Sequence, residues 1–344
     1  MSMPAIGLTV VASGMVTGLG YNAPATLAAL RAGVSGVRSE TWPDDESGEP
    51  VRCARVSLPQ RHAGTALLTD LVTPAIDECL RAANQTDAQH VPLLLGVAHP
   101  SRPGRPADLD QTLLPQIYER LRSPVCRDSK MYAGDQAGCA FALAEARRLI
   151  EARVADHVLI AGVDTFIDRA SVNAYAERRR LLTEANFNGF LPGEAGAAVL
   201  VAAQPGEAGG LQIAGAGYGR ESATIDDTKP LRGIGLTAAI KEALQSAGLT
   251  MADISFRVTD LSGEHYKFKE AMFALMRLEQ VPPDEPLDLW HPIEYLGEIG
   301  AAILPCIFAW TGDALRRGYA PGPRALIHLG SDDGHRFALV AHAV

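Results

Sequence analysis

The stretch Asn188-Gly189-Phe190-Leu191-Pro192-Gly193-Glu194-Ala195-Gly196-Ala197-Ala198-Val199-Leu200-Val201 opens on turn-forming residues and closes on an unbroken apolar run through Ala202. A short run rich in Val and Leu and bounded by glycine suits a strand covered on both faces of a sheet. Six further runs read the same way: Ile6–Val11, Val91–Val97, His157–Ala161, Arg257–Leu261, Ala325–Leu329 and Arg336–His342. Between them lie helical patterns at Ala25–Ala32, Thr69–Ala83, Ala137–Arg153, Leu236–Ala247, Lys267–Arg277 and Gly297–Arg317. Strands alternating with helices predict a layered α/β protein with a parallel or mixed sheet.

Two segments share a plan. Cys139–Ala202 runs from a small-residue helix through a strand ending in Gly162-Val163-Asp164 to the run quoted above. Gly300–Val344 runs from an Ala- and Ile-rich helix through Ala325–Leu329 and a tight turn at Ser331-Asp332-Asp333-Gly334 to Phe337-Ala338-Leu339-Val340. Each ends in the order helix, strand, returning strand, which predicts an internal duplication. Gln204–Gly210, with Pro205 and three glycines, is the expected seam, giving halves at 1–205 and 206–344. The acidic, turn-rich Trp42–Pro50 reads as a surface loop.

Composition narrows the class. The 344 residues are 47% hydrophobic and 21% charged, ordinary for a globular protein, so nothing points to disorder. A net charge of -9 argues against a nucleic-acid binder and means that an acidic partner would need a local basic patch. Cys53, Cys79, Cys126, Cys139 and Cys306 are scattered, with no Cys-x-x-Cys spacing, and read as buried free thiols in a reducing compartment, not as a metal site. The apolar start at Ile6–Val16 has no Lys or Arg before it, unlike a secretory signal. The longest apolar run, Ile299–Trp310, is far shorter than the ~20 residues that span a bilayer. The expectation is a cytoplasmic protein that contacts neither membrane nor nucleic acid. Gly215-Ala216-Gly217-Tyr218-Gly219 lacks the strand-and-helix context of a dinucleotide loop, so no cofactor is expected.

Three stretches carry a family resemblance. Gly14-Met15-Val16-Thr17-Gly18-Leu19-Gly20, followed by Leu30-Arg31-Ala32-Gly33-Val34-Ser35-Gly36-Val37, is similar to the opening of the β-ketoacyl synthases. Asp156–Asp164 is similar to their "ADxxLAGGxE" strand, and Asn188–Val201 to their "DGFVxGEGAGVLVLE" segment. The chain thus resembles a β-ketoacyl synthase of the thiolase superfamily. The resemblance implies the thiolase fold, two pseudo-repeated halves in an α-β-α-β-α arrangement. The matches lie in the first 205 residues, and the second half follows only in outline. Chain length, Ala29-Leu30-Arg31-Ala32-Gly33 and Gly48-Glu49-Pro50 also resemble thiolase-like accessory proteins of type VI secretion clusters, thought to assist effector loading.

Such synthases attack a thioester with a cysteine at the head of a buried helix. The helix N-terminus favours thiolate, and its N–H groups hold the oxyanion. Two histidines then assist decarboxylation and stabilise the enolate. Ala140–Ile150 aligns without gaps on the nucleophile helix and puts Gln136 at the nucleophile position. An amide forms no acyl-enzyme. The histidine positions fall on Asp260 and Glu298, the lysine on Ile293 and the gating phenylalanine on Asp332. Glu298 reads as a helix-start acid. Asp135, Cys139, His265 and His335 remain as possible pocket residues. Cys139 is either a packed core thiol or a displaced one, His265 a displaced imidazole or a helix-start residue, and His335 a pocket or a turn residue. Arg178-Arg179-Arg180 and Arg316-Arg317 either meet an acidic carrier protein or solvate helix ends.

The resemblance therefore implies a degenerate site with no catalytic residues, and a scaffold or accessory protein, with effector loading in type VI secretion as one role. The alternative is a chain-length-factor-like partner of an active ketosynthase, and an acyltransferase or decarboxylase is the third reading. A dimer is implied, of like chains or with a ketosynthase-like chain, with acyl carrier protein or secretion components as further partners.

Overall fold

The computed structural model describes residues 7–40, 51–85, 87–203, 209–278 and 286–344. The expected loop at Trp42–Pro50, the Gly48–Pro50 feature, residue Ile6 and the seam at 204–208, with the 205/206 boundary, lie outside them. In chain order the strands are β1 Leu8–Thr17, β2 Arg38–Glu40, β3 Val51–Cys53, β4 Leu93–Val97, β5 Lys130–Ala133, β6 His157–Thr165, β7 Glu194–Ala203, β8 Leu211–Arg220, β9 Phe256–Thr259, β10 Asp288–Trp290, β11 Arg324–Gly330 and β12 His335–Ala343. The helices are α1 Ala23–Arg31, α2 Gly64–Ala82, α3 Leu109–Arg120, α4 Gly138–Glu151, α5 Arg169–Glu177, α6 Ile234–Ala247, α7 His265–Leu278, α8 Ile293–Leu296 and α9 Ile303–Arg317.

All strands except the small β2–β3 pair join one mixed sheet, ordered β10-β9-β11-β12-β8-β1-β7-β6-β4-β5. Read from either edge inward, the order is third, second, fourth, fifth and first strand of that half. The predicted duplication is therefore written in the topology. The halves meet where β1 pairs β8 at only Leu8↔Ile213, Thr9↔Gln212 and Val10↔Leu211.

Period-two alternation explains the layers. On β7, Ala197, Val199 and Val201 face a central cluster with α4 and α9, while Ala198 and Leu200 face a second cluster with α2 and α3. On β12, Phe337 and Leu339 face the central cluster, and Ala338 and Val340 face α6 and α7. Strands covered on both sides must be apolar at every position, which is why they read as continuous runs. The central helix α9 is buried all round from Ile303 to Thr311, as a helix enclosed between two sheet halves must be. The result is the expected layered α-β-α-β-α arrangement.

Two expectations change. Gly297–Arg317 is not one helix. Gly297 and Gly300 adopt φ of +68° and +49°, which breaks the chain into α8, a 3-10 turn at Gly300–Ala302 and α9. The Gly215–Gly219 stretch lies within β8, and its alternate glycines form a groove for α6. A Cβ on Gly217 would lie 2.0 Å from the Ala239 carbonyl oxygen, and one on Gly219 would lie 1.9 Å from that of Gly235. No helix among the described residues is long and apolar enough to cross a membrane.

Candidate functional site

The heads of α4 and α9 converge at the centre of the molecule, each entered through a 3-10 turn, Asp135–Ala137 and Gly300–Ala302. Glycines make the approach possible. A Cβ on Gly162 of β6 would lie 2.0 Å from the Ala301 carbonyl oxygen, and one on Gly96 of β4 would lie 2.6 Å from Cys139 Sγ. Asp135 has φ +47°. The other described non-glycine residues with positive φ are Asn84, Arg122, Arg153 and Arg179, each two residues past a helix end. Asp135 instead opens one, directly before the buried Gln136. The left-handed position at the head of α4, the place expected to carry strain at a functional turn, thus belongs to Asp135.

A buried arginine ties the two heads together. Arg102 grips Asp164 with both terminal nitrogens, Nη1 at 2.9 Å from Oδ2, and its Nε lies 3.8 Å from Asp135 Oδ1. Asp164 Oδ2 also accepts the Ala301 N–H at 3.2 Å, and Asp135 Oδ1 accepts the His99 N–H at 2.8 Å. The Arg102 guanidinium lies 4.1 Å from the Phe166 ring centroid. Burial pushes the Asp164 carboxyl up to about 7, with Arg102 opposing and Asp135 adding to the rise.

A second clamp lies beside the first. Lys267 Nζ sits 3.5 Å from Asp260 Oδ2 and 3.4 Å from Glu298 Oε2, all three residues buried. Asp260 also accepts the Gly330 N–H at 3.1 Å, and Glu298 accepts the Gly300 N–H at 3.0 Å. Burial alone would lower the Lys267 pKa, but Asp260 and Glu298 outweigh it and hold the ammonium above its ordinary value. Lys267 is therefore a cation and offers no free amine for nucleophilic work.

Two further arginines close the surroundings. Arg180 meets Glu264 in a fork, Nε–Oε1 2.7 Å and Nη2–Oε2 3.1 Å, and reaches Asp332 Oδ2 at 2.6 Å. Desolvation opposes ionisation of Asp332, but Arg180, with Lys267 and Arg336 behind it, outweighs that and keeps its pKa below the ordinary value. Arg336 bonds Glu270 at 2.8 Å and the Tyr266 hydroxyl at 2.7 Å. Arg336, Glu270, Tyr266, Asp332, Lys267 and Asp260 border a cavity of about 20 Å³, which matches one water molecule.

The remaining expected residues are placed as follows. Cys139 is fully buried in the first turn of α4. Its thiol lies 3.2 Å from the carbonyls of Ala161 and Ala301, and burial pushes it up to about 12. Ile293 packs in the central core. His265 is the exposed first residue of α7, its N–H bonded to Asn188 Oδ1 at 2.8 Å. His335 opens β12, packs edge-on to Phe141 of α4 at 5.0 Å and bonds the Tyr218 hydroxyl at 2.8 Å. Asp332 and Asp333 form the tight turn between β11 and β12, with Gly334 at φ +97°.

Sequence reading missed every cation of the cluster: Arg102, Lys267, Arg180 and Arg336. Arg180 is a correction to the reading of Arg178–Arg180 as surface groups, since it is buried while Arg178 and Arg179 are exposed. Its only local signal is the apolar Leu181-Leu182 that follows. Arg316 and Arg317 likewise bind a buried acid, Asp313, at 3.0 and 2.7 Å.

No family model matches the chain, and no curated protein does. Solved structures do. A chain of AntDE:AntF, described as a type II polyketide synthase acyl-carrier protein in complex with its ketosynthase bound to the hexaketide, superposes with a TM-score of 0.81 at 14% identity, covering 99% of this chain and 100% of that one. The complex of ketosynthase ApeO with its chain length factor ApeC from Xenorhabdus doucetiae gives 0.73 at 14% identity over 98% of each chain. The oxazolomycin ketosynthase domain OzmH KS7 of Streptomyces albus JA3453 gives 0.78 at 13% identity, covering 98% of this chain and 74% of that one. The chain therefore has the thiolase-type fold of ketosynthases and chain length factors.

Proposed function

We propose that this chain is a non-catalytic ketosynthase-like protein that acts by pairing with a second chain of the same fold, in the manner of a chain length factor beside an active ketosynthase. The observation that carries the reading is the Asp260–Lys267–Glu298 clamp. Where the resemblance places two imidazoles, two carboxylates are held on one buried ammonium. Such a cluster does not stabilise an enolate, because its acids would repel the developing anion.

The other groups agree. At the head of α4 stand a carboxylate and an amide, Asp135 and Gln136, and the nearby Cys139 is capped by two carbonyls with its thiol protonated. The thiolate needed for thioester exchange is absent from both positions. Pairing has a physical basis in β5, which ends the sheet, hydrogen-bonds only β4 among the described strands and so offers an open backbone edge. Among the neighbours, ApeO is described in complex with a chain length factor, and the ishigamide structure as a ketosynthase/chain length factor.

Incubation with malonyl- and acyl-carrier protein, read by intact-protein mass, tests the chemistry. The expected result is an unchanged mass and no carbon dioxide release. Affinity purification from the source cells followed by native mass spectrometry tests the pairing, with a Cys-bearing ketosynthase in one-to-one complex expected. A covalent acyl adduct would sink the non-catalytic reading, and purification as a lone chain would sink the pairing.

A further inference from the structure

Far from these helix heads, a cleft of about 290 Å³ opens where β1 meets β8, at the other end of α9. The 15 residues of α9 put the two ends ~20 Å apart. Three arginines line the cleft: Arg31 from the last turn of α1, and Arg316 and Arg317 from the last turn of α9. All three converge on one carboxylate. Asp313, 2% exposed, receives Arg31 Nη1 at 3.2 Å, Arg316 Nη2 at 3.0 Å and Arg317 Nε at 2.7 Å, and the Tyr319 hydroxyl at 2.9 Å.

The charges do not balance. Three guanidiniums and two carboxylates, Asp313 and Glu78, line the cleft, which leaves an excess of one positive charge there in a protein whose net charge is -9. The C-terminal dipole of α9 offsets about half a charge of that excess. Each guanidinium carries five N–H donors, and one from each serves Asp313, so most of the fork remains for another acceptor. The cleft's other carboxylate, Glu78, is turned to backbone, accepting the N–H groups of Met15 at 3.0 Å and Ala23 at 2.9 Å. Next to the arginines the wall is apolar, formed by Val10, Leu27, Leu211 and Phe308. Asp313 thus acts as a positioning residue that gathers three forks at the mouth of a partly apolar cavity. Planar guanidinium forks match the paired oxygens of carboxylates and phosphates.

We propose that this cleft binds a small organic oxyanion, with its charged head on Arg31, Arg316 and Arg317 and a short apolar body against Val10 and Leu27. The site is separate from the helix-head cluster and stands whether or not the chain pairs with a ketosynthase. Its occupant is a carboxylate or a phosphomonoester, and the test distinguishes them.

Isothermal titration of the full chain with hexanoate and with inorganic phosphate, at ionic strength held constant with chloride, reads binding directly. Saturable binding of at least one anion is expected, weakened by about tenfold or more, the equivalent of ~1.4 kcal/mol, in Arg31→Gln. Arg31→Lys, which keeps the charge but loses the fork, should also bind more weakly than the parent chain. Arg316→Gln provides a second variant on the exposed side, and the thermal midpoint of each variant reports that it is folded. Hexanoate binding alone identifies a carboxylate site, and phosphate binding alone a phosphoryl site. No saturable heat with either anion, or affinity changed by less than about tenfold in both Gln variants, overturns the proposal.

Discussion

Replacing Lys267 with Met removes the one cation between Asp260 and Glu298 while keeping a side chain of similar length. Both acids are buried, and the ammonium lies within 3.5 Å of each. Deleting one partner of a buried ion cluster strands the charges that remain, which costs ~3–5 kcal/mol, more than the pair itself contributes. With an unfolding entropy of ~2.1 cal/mol/K per residue, a chain of 344 residues changes its midpoint by ~1.4 °C per kcal/mol, so Lys267→Met should lower Tm by ~4–7 °C. A triple variant, Lys267→Met with Asp260→Asn and Glu298→Gln, carries no stranded charge and should recover part of the loss. Differential scanning calorimetry of the three proteins at pH 7 measures all of this. If Lys267→Met melts within ~1.5 °C of the parent at pH 7, the clamp is not the buried charge cluster described here.

Two other outcomes are expected. Gly217→Ala puts a Cβ against the backbone of α6, 2.0 Å from the Ala239 carbonyl oxygen, so β8 and α6 must separate, and urea unfolding should show a loss of ~1–3 kcal/mol. The five cysteines are all buried, so Ellman's reagent should find almost no thiol in the native chain and five after denaturation, and prompt native labelling of Cys139 would contradict its closed setting.

Much of the architecture was legible because buried strands advertise themselves. The runs at His157–Ala161 and Ala197–Ala202 fall within β6 and β7, whose both-sided burial keeps the stretches 158–163 and 195–202 free of polar side chains. β8 escaped because three of its alternate positions are glycine, chosen for contact with α6 and not for strand propensity. The overrun of the last central helix has a similar cause: Gly297-Glu298-Ile299-Gly300 carries apolar and small residues in helical rhythm, and only the positive φ of its glycines breaks it. Gln136, Asp260 and Glu298 are all buried. Their partners were invisible. Arg102 and Asp164 are 62 residues apart and Arg180 and Glu264 are 84, and one sequence holds no rule that pairs a particular arginine with a particular acid at such range.

Among the described residues, three rungs of backbone pairing, at Leu8, Thr9 and Val10, are all that join one half-sheet to the other. Cohesion between the duplicated lobes therefore resides in the filling, α4 and α9, which each lobe contributes and both enclose. Cut between β7 and β8, the chain would yield two pieces, each with one greasy helix laid bare, and neither is expected to keep its shape until it finds the other.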